Sequence, residues 1–428
     1  MVINKKTGIA WFSVLLIIFL ILIAVLEAEH PKKEDVFSKS IPNGFGVSVH
    51  YTGNMIDTDL IKDAGFKVVR KDIFWSQVEQ EKGIFDFKTT GYDDLTNSLV
   101  ENEIRPYYIL GYSNKLYENN RSIVTQSGRE AYINYVDKVT SRYKNKGIIW
   151  EIWNEPNIQY WETKPNFYDY STLIKEASKV IKNNDPTGTV VAPALSGLSD
   201  ESLTWLDKIL KTGTLDYIDG LSVHPYRTQT PETVISDYKK LRTLLSKYSD
   251  KNITLISGEW GYSTAQGTGT NNFNEYTQAN YLVRMFLINL LSDVPISIWY
   301  GWKNDGTDIS NKEQNYGIVQ NDIKMSKKAY LAVNALNHNL NGYELKERID
   351  VGDPNDYVLR FVNENNDSVI VFWTSKEAHK TTIPFNSKGG RVLSTFGEKI
   401  GDISKGSQIT LHIINSPKYI IITPKTRS

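Results

Sequence analysis

The chain has 428 residues, with 49 basic and 49 acidic side chains and no cysteine. The net charge is therefore zero, whereas nucleic-acid-binding proteins typically have an excess of basic residues. No nucleic-acid partner is expected. The absence of cysteine excludes disulfides, thiol nucleophiles, Fe–S clusters and cysteine-bound zinc. Hydrophobic residues make up 40% of the sequence and charged residues 23%, which is typical of a globular protein and not of a disordered or collagen-like one.

An uncharged stretch of 18 residues, 9–26, follows two lysines near the amino terminus and precedes two glutamates. As a helix it would reach about 27 Å, which is enough to cross the hydrocarbon core of a bilayer. The basic flank, 1–8, is expected to stay cytoplasmic, which places the rest of the chain outside the cytoplasm. A cleaved signal peptide, giving a secreted protein, is the alternative, but Leu26-Glu27-Ala28 fits a small-residue cleavage site poorly. We predict an uncleaved transmembrane anchor followed by a tether at 27–42.

Short runs rich in β-branched residues alternate with helical patterns over 43–340. The predicted strands are 44–49, 67–70, 105–110, 148–153, 189–193, 217–223, 253–257 and 295–299. The predicted helices are 57–64, 92–102, 129–144, 167–182, 201–211, 232–247, 274–291 and 327–339. Eight strands, each followed by a helix, predict a (β/α)8 TIM barrel of the α/β class. A doubly wound sheet is the alternative, but the Gly-rich phosphate turn expected after its first strand is missing.

The pattern changes after residue 340, where strands follow one another without helices. The predicted strands are 357–362, 368–373, 408–413 and 419–422. Short strands separated by Asn, Asp and Gly are typical of an all-β domain. We therefore predict a small β-sandwich over 341–428 that packs against the barrel.

Polar residues stand where the predicted barrel strands end, which is where the reactive groups of a TIM barrel lie. Two of them are carboxylates, Glu155 after the fourth strand and Glu259 after the seventh. Two carboxylates that face each other across a cleft are what hydrolysis of a glycosidic bond requires. The other polar or aromatic residues at strand ends are Arg70, Asn154, His224, Tyr226 and Trp299.

Four motifs resemble those of clan A retaining glycoside hydrolases, and they occur in the expected order. Residues 151–157, EIWNEPN, are similar to the W-N-E-P motif that carries the acid/base, and residues 256–261, ISGEWG, to the strand-seven nucleophile motif. Residues 69–75, VRKDIFW, and residues 224–226, HPY, match two further positions. The resemblance runs from residue 44 to about residue 304 and is strongest for members of families 39 and 5.

The resemblance implies a role for each catalytic residue. Glu155 is expected to be the general acid/base, and Glu259 the nucleophile that attacks the anomeric carbon. Arg70 and Tyr226 are expected to hold the carboxylate of Glu259. Asn154 is expected to bind the sugar 2-hydroxyl, a contact that strengthens in the transition state.

Further aromatic and polar residues are expected around the sugar. Trp299 would form the floor of the sugar site, with His50, His224 and Trp153 as additional contacts. Glu151 is expected to point into the barrel interior instead of toward substrate. Five loop aromatics could line further subsites or serve packing alone, and these are Tyr112, Trp161, Trp260, Tyr262 and Trp302.

The resemblance implies a retaining hydrolase of β-glycosidic bonds in a polysaccharide or oligosaccharide, and the predicted anchor places it at a membrane, outside the cytoplasm. Two alternatives stay open: a non-catalytic glycan-binding barrel protein, and a transglycosylase that uses the same residues. No metal is expected, because the six histidines are scattered without a His-Glu-x-x-His spacing. No Gly-x-Ser-x-Gly elbow is present either, and glycoside hydrolysis needs no cofactor.

Overall fold

The computed structural model describes residues 36–50, 56–250, 252–323 and 325–423. The predicted membrane segment 9–26 lies outside these residues, as do the predicted cytoplasmic stub 1–8 and most of the tether. Among the helices that the structure does describe, none combines the length and apolar character needed to cross a bilayer. The anchor therefore stays a prediction.

Eight parallel strands close into a barrel in chain order. Strand β1 pairs with both β2 and β8, and these pairings complete the ring. The predicted (β/α)8 barrel is confirmed, and the doubly wound alternative is wrong. The strands are β1 (Phe45–Ser48), β2 (Val68–Phe74), β3 (Arg105–Gly111), β4 (Ile149–Ile152), β5 (Thr189–Ser196), β6 (Gly220–His224), β7 (Thr254–Trp260) and β8 (Ile296–Trp299).

Helices connect the barrel strands, and several begin at a side-chain cap. Thr125, Asn166, Ser199 and Asn274 each accept a hydrogen bond from a backbone N–H in the first turn of the helix that follows. The helices are α1 (Ile56–Asp63), α2 (Trp75–Val78), α3 (Tyr92–Glu101), α4 (Gln126–Tyr143), α5 (Phe167–Asn184), α6 (Asp200–Leu210), α7 (Val234–Leu245), α8 (Glu275–Leu291) and α9 (Lys328–Asn339).

The chain after α9 is all-β, as predicted, and forms two antiparallel sheets. One has six strands in the order β14-β13-β16-β11-β10-β9, and the other pairs β12 with β15. The sequence did not predict four of these strands, namely β9, β12, β13 and β14. Most of their residues are polar or small and are exposed or only partly buried. The strands are β9 (Glu344–Arg348), β10 (Asp356–Val362), β11 (Ser368–Thr374), β12 (His379–Ile383), β13 (Ser387–Leu393), β14 (Lys399–Gly406), β15 (Ile409–Ile413) and β16 (Lys418–Ile422).

Strands β10 and β11 of the six-stranded sheet are buried on both faces. Along β10 and β11, Leu359 and Val371 belong to the same hydrophobic cluster as the barrel helices. Their alternating neighbours Val358 and Ile370 pack instead with Ile383 of the two-stranded sheet. A strand that is covered on both sides consists of a continuous run of apolar residues. For this reason the sequence predicts these two strands.

A buried ion pair joins the barrel to this sheet. Glu232, just before α7, accepts hydrogen bonds from Arg284 Nε at 2.7 Å and Nη2 at 2.6 Å. It also accepts one from the indole N–H of Trp373 on β11, at 2.8 Å. Burial alone would raise the pKa of Glu232, but the hydrogen bond and charge of Arg284 lower it below its usual value. The carboxylate is therefore ionised and tied to both parts of the chain.

Trp373→Ala is expected to lower the free energy of unfolding by about 3–5 kcal/mol, because it removes a fully buried ring between barrel and sheet. Trp373→Phe keeps most of the ring and loses the bond to Glu232, so a smaller loss of about 1–3 kcal/mol is expected. Denaturant unfolding followed by far-UV circular dichroism measures both. Wild-type stability of the alanine variant would contradict a supporting role for the sheet.

Candidate active site

The main chain after β4 places Glu155 over the mouth of the barrel. Trp153 and Glu155 both have a positive φ, at 69° and 47°, although neither is glycine. Such left-handed residues cost on the order of 1–3 kcal/mol and persist only where surrounding contacts hold them. Here the N–H of Trp153 donates to the Leu110 carbonyl of β3, and that of Glu155 to the Ala194 carbonyl of β5. The neighbouring strands thus hold the turn that aims Glu155.

A register irregularity in β7 places Glu259. The pairing with β8 shifts between Ser257 and Trp260, so the residues between them leave the regular ladder. Gly258 sits in this irregularity, where a Cβ would lie only 2.4 Å from Ser222 Oγ and 3.2 Å from Tyr107 Oη. A larger residue would have to displace the Ser222 hydroxyl, and the residue that follows Gly258 turns into the barrel mouth.

Arg70 of β2 connects the charged groups of the site. Its guanidinium donates to Glu151 Oε2 from Nε at 2.9 Å and from Nη2 at 2.6 Å. Nη1 donates to Glu259 Oε2 at 2.6 Å, and Nη2 also donates to Asn154 Oδ1 at 2.8 Å. Burial alone would lower the pKa of Arg70, but the charges of Glu151 and Glu259 raise it well above its usual value. Arg70 is therefore a permanent cation that fixes the positions of three side chains.

Both oxygens of Glu259 are held by donors. Oε2 accepts from Arg70, and Oε1 accepts from the Tyr226 hydroxyl at 2.9 Å. Burial and then the charge of Glu259 raise the pKa of Tyr226 well above its usual value, so the phenol keeps its proton and remains a donor. Two donors stabilise an ionised, oriented carboxylate, which is the state that a nucleophile requires.

His224 contacts the other glutamate. Its Nδ1 lies 2.9 Å from Glu155 Oε1, and its Nε2 lies 3.3 Å from Arg70 Nη2. Because a guanidinium can only donate, Nε2 accepts, and the proton of a neutral ring sits on Nδ1 and is donated to Glu155. Burial alone would raise the pKa of Glu155, but the hydrogen bond from His224 lowers it below its usual value.

Glu151 lies in the barrel interior, as expected. It is 0% exposed and accepts hydrogen bonds from Arg70 and from the Tyr107 hydroxyl, the latter at 2.8 Å. It therefore orients Arg70 from below and does not reach the cleft.

The structure corrects the prediction that Trp299 forms the floor of the sugar site. Trp299 is 0% exposed, and its indole N–H donates to the Tyr316 carbonyl at 3.0 Å, so no face is open to a sugar. The ring that lines the cavity at this position is Tyr300, the next residue. Trp153 is likewise buried, and its indole N–H donates to the Tyr160 carbonyl. Four of the loop aromatics are buried as well and serve packing, namely Trp161, Trp260, Tyr262 and Trp302.

His50 stands at the edge of the cavity. Its Nδ1 lies 2.8 Å from Asp305 Oδ2, and its ring is tilted against Tyr300 with the centroids 5.1 Å apart. It thus lines the inner cavity and contacts neither glutamate among the described interactions.

Two adjoining cavities open above the barrel. The inner one has a volume of about 110 Å³, and its lining includes His50, Arg70, Asn154, Glu155, Glu259 and Tyr300. The outer one has a volume of about 1120 Å³ and extends over the loops after β2, β3 and β4. Asp72, Tyr112 and Tyr160 line both. Of the five loop aromatics named above, Tyr112 therefore lines these two cavities.

Sequence reasoning missed Asp72, Tyr160 and Tyr300. A signal for Asp72 was available, because it follows Arg70 by two residues and so shares its face of β2.

A closed (β/α)8 barrel with glutamates at the carboxyl ends of β4 and β7 defines the class as a clan A glycoside hydrolase. Residues 33–306 match the family described as Cellulase (glycosyl hydrolase family 5). The match covers more than half of the chain. The chain therefore belongs to this family.

Relatives of known structure share the fold at low sequence identity. A family 39 glycoside hydrolase from Bacteroides cellulosilyticus superposes with a TM-score of 0.76 at 22% identity, over 91% of this chain and 82% of that one. A family 39 β-xylosidase from Caulobacter crescentus superposes with a TM-score of 0.64 at 17% identity, over 90% and 98%. A β-xylosidase from Geobacillus stearothermophilus is 24% identical over 167 residues, which are 36% of this chain and only 33% of that protein.

Proposed function

We propose that this protein is a retaining hydrolase of β-glycosidic bonds in a polysaccharide or oligosaccharide. One observation carries the proposal: a carboxylate oxygen of Glu155 and one of Glu259 lie within 4.8 Å of each other. Retaining glycosidases have their two carboxyl groups about 5–5.5 Å apart, whereas inverting enzymes need about 6.5–9.5 Å to admit a water molecule. The closest oxygens of Glu155 and Glu259 are thus no farther apart than the carboxyl groups of a retaining pair, which supports direct attack by Glu259 on the sugar.

The contacts of each glutamate support its role. Burial raises the pKa of Glu155 and the hydrogen bond from His224 lowers it, so a sugar that covers Glu155 favours its protonated form by deepening its burial. Glu259, held by Arg70 and Tyr226, then attacks the anomeric carbon while Glu155 gives this proton to the departing oxygen. The resulting ester removes the charge of Glu259, which favours the ionised form of Glu155. Glu155 then takes a proton from the water that releases the sugar. His224, donating to Oε1 of Glu155, leaves Oε2 for this proton.

The shape of the cleft supports a substrate longer than one sugar. The inner cavity continues into the outer one, whose volume of about 1120 Å³ exceeds the roughly 300–1,000 Å³ of small-ligand pockets. The β-xylosidase relatives make β-xylosides the first sugars to test.

Product stereochemistry tests the proposal. Aryl β-glycosides and β-linked oligosaccharides are incubated with the full-length protein, and the released sugar is followed by proton NMR from the first minutes. We expect the β-anomer to appear before mutarotation produces the α-anomer. If the α-anomer appears first, the mechanism is inverting; if no glycoside of the panel is turned over, the protein is not a hydrolase of this class.

We further propose that residues 9–26 anchor the enzyme in a membrane with the barrel outside the cytoplasm. The proposal rests on the uncharged 18-residue run and its basic flank. Protein from the native host should fractionate with membranes and retain its first residues. An amino-terminal sequence that begins near Glu29 would instead indicate a cleaved signal and a secreted enzyme.

A further inference from the structure

Asp72 stands where the inner cavity opens into the outer one. It follows Arg70 by two residues on β2, so both side chains lie on the same face and Asp72 is one layer nearer the barrel mouth. Its partner on β3 is Ile109, and it lines both cavities together with Tyr112 and Tyr160.

The carboxylate of Asp72 has no donor for its buried oxygen. Oδ1 is shielded from solvent and makes no hydrogen bond with any residue that the structure describes. Two other carboxylates of the barrel are satisfied: Glu151 accepts from Arg70 and Tyr107, and Glu232 from Arg284 and Trp373. Asp356 Oδ1, in the all-β part of the chain and outside both cavities, is the other buried carboxylate oxygen without a partner among the described residues. A buried acceptor without a donor costs free energy, which is expected where a ligand supplies the donor.

The surroundings indicate the chemistry of that ligand. Lys71, the neighbouring cation on the strand, lies 5.0 Å from the ring centroid of Phe74, and Arg70 directs its donors at Glu151, Glu259 and Asn154. The lining of the inner cavity includes three carboxylates, those of Asp72, Glu155 and Glu259, and one permanent cation, Arg70. This excess of negative charge disfavours an acidic sugar there and favours hydroxyl donors.

Two aromatic rings lie beside Asp72, and the guanidinium of Arg121 in the outer cavity lies over both, 5.7 Å from the centroid of Tyr112 and 5.4 Å from that of Tyr160. Tyr112 and Tyr160 stack with their centroids 5.9 Å apart and offer apolar surface beside the carboxylate. Burial and then the charge of Asp72 raise the pKa of Tyr112 well above its usual value, so this phenol stays neutral.

We propose that Asp72 binds the hydroxyl groups of a non-acidic sugar unit at the junction of the two cavities and thereby contributes to substrate specificity. A carboxylate has two acceptor oxygens and can take hydrogen bonds from two adjacent hydroxyls at once. The proposal rests on the proposed function, since it names how the substrate of the same site is held.

Asp72→Asn tests the proposal, because it keeps the size of the side chain and removes its charge. With the glycoside on which the wild type is most active, kcat/KM is expected to fall about 10- to 100-fold, the scale of a lost charge-assisted hydrogen bond. The melting temperature is expected to stay unchanged or rise, because a buried, unsatisfied charge is removed.

Asp185→Asn is the matched control. Asp185 is also buried, but it accepts hydrogen bonds from the Asn145 N–H, the Trp150 indole and the Thr187 hydroxyl, and it precedes β5 at the opposite end of the barrel. This variant should melt earlier and keep its kcat/KM. The two aspartates are thus expected to show opposite effects on stability and activity.

The outcomes separate this proposal from the proposed function. If Asp72→Asn keeps the wild-type kcat/KM, or loses stability as Asp185→Asn does, the assignment of Asp72 is wrong while the enzyme remains a hydrolase. If the wild type turns over no glycoside, the proposed function fails. In that case the role of Asp72 is tested by calorimetry, which measures the affinity of wild type and of Asp72→Asn for the oligosaccharides of the panel. Equal affinities, or no binding by either protein, would contradict the proposal for Asp72.

Discussion

Glu259→Ala is expected to abolish turnover of every glycoside, whatever its leaving group. The carboxylate forms the covalent bond in the proposed mechanism, and the described contacts place no other carboxylate between Arg70 and Tyr226. The loss in kcat should be on the order of 10⁴-fold or more, the scale seen when a nucleophile is removed. Steady-state kinetics with aryl glycosides of graded leaving-group pKa measures it.

A control must show that the loss is chemical and not a loss of folding. Glu347 on β9 pairs with Arg360 at 2.9 Å and lines neither cavity. Glu347→Ala should change kcat by no more than a few fold, because this carboxylate lies in the all-β part of the chain. If Glu259→Ala instead retained near-wild-type turnover while melting normally, Glu259 would not be the nucleophile.

Glu155→Ala is expected to separate the two steps of the reaction. An activated aryl glycoside needs little acid assistance, so the variant should still form the glycosyl-enzyme on Glu259 and release one equivalent of phenol. It should then stall, because no base activates water. General acid–base assistance is worth ~10²–10⁴-fold, and losses of that size are expected for the release step and, with poor leaving groups, for the first step as well.

Added azide should restore turnover of the Glu155→Ala variant, because an anion needs no base. Two successive inversions give a glycosyl azide with the anomeric configuration of the substrate, which NMR identifies. An azide product of the opposite configuration would mean that Glu259 does not form the intermediate. Failure of azide to accelerate release would contradict the role of Glu155 as the base.

The sequence alone was sufficient to predict the barrel and both glutamates. Alternation of short apolar runs with helical periodicity identifies the (β/α)8 fold, because each pattern reflects a local backbone geometry. The fold then brings the carboxyl ends of all eight strands together. Polar residues after unrelated strands, such as Glu155 and Glu259, can therefore be placed in one site without any knowledge of their contacts.

The tertiary structure decided which neighbouring side chains face the cleft. Trp299 was expected to line the sugar site, yet it is buried and Tyr300 lines the cavity instead. The reason is geometric, since successive residues of an extended chain point to opposite sides, so Trp299 and Tyr300 do not face the cavity together. The ladder of β8 with β1 is regular up to Trp299, and the irregularity at this level lies in β7, between Ser257 and Trp260. The missing donor of Asp72 is likewise a property of packing, because it depends on where Arg70 directs its hydrogen bonds. No local sequence pattern predicts the direction of those hydrogen bonds.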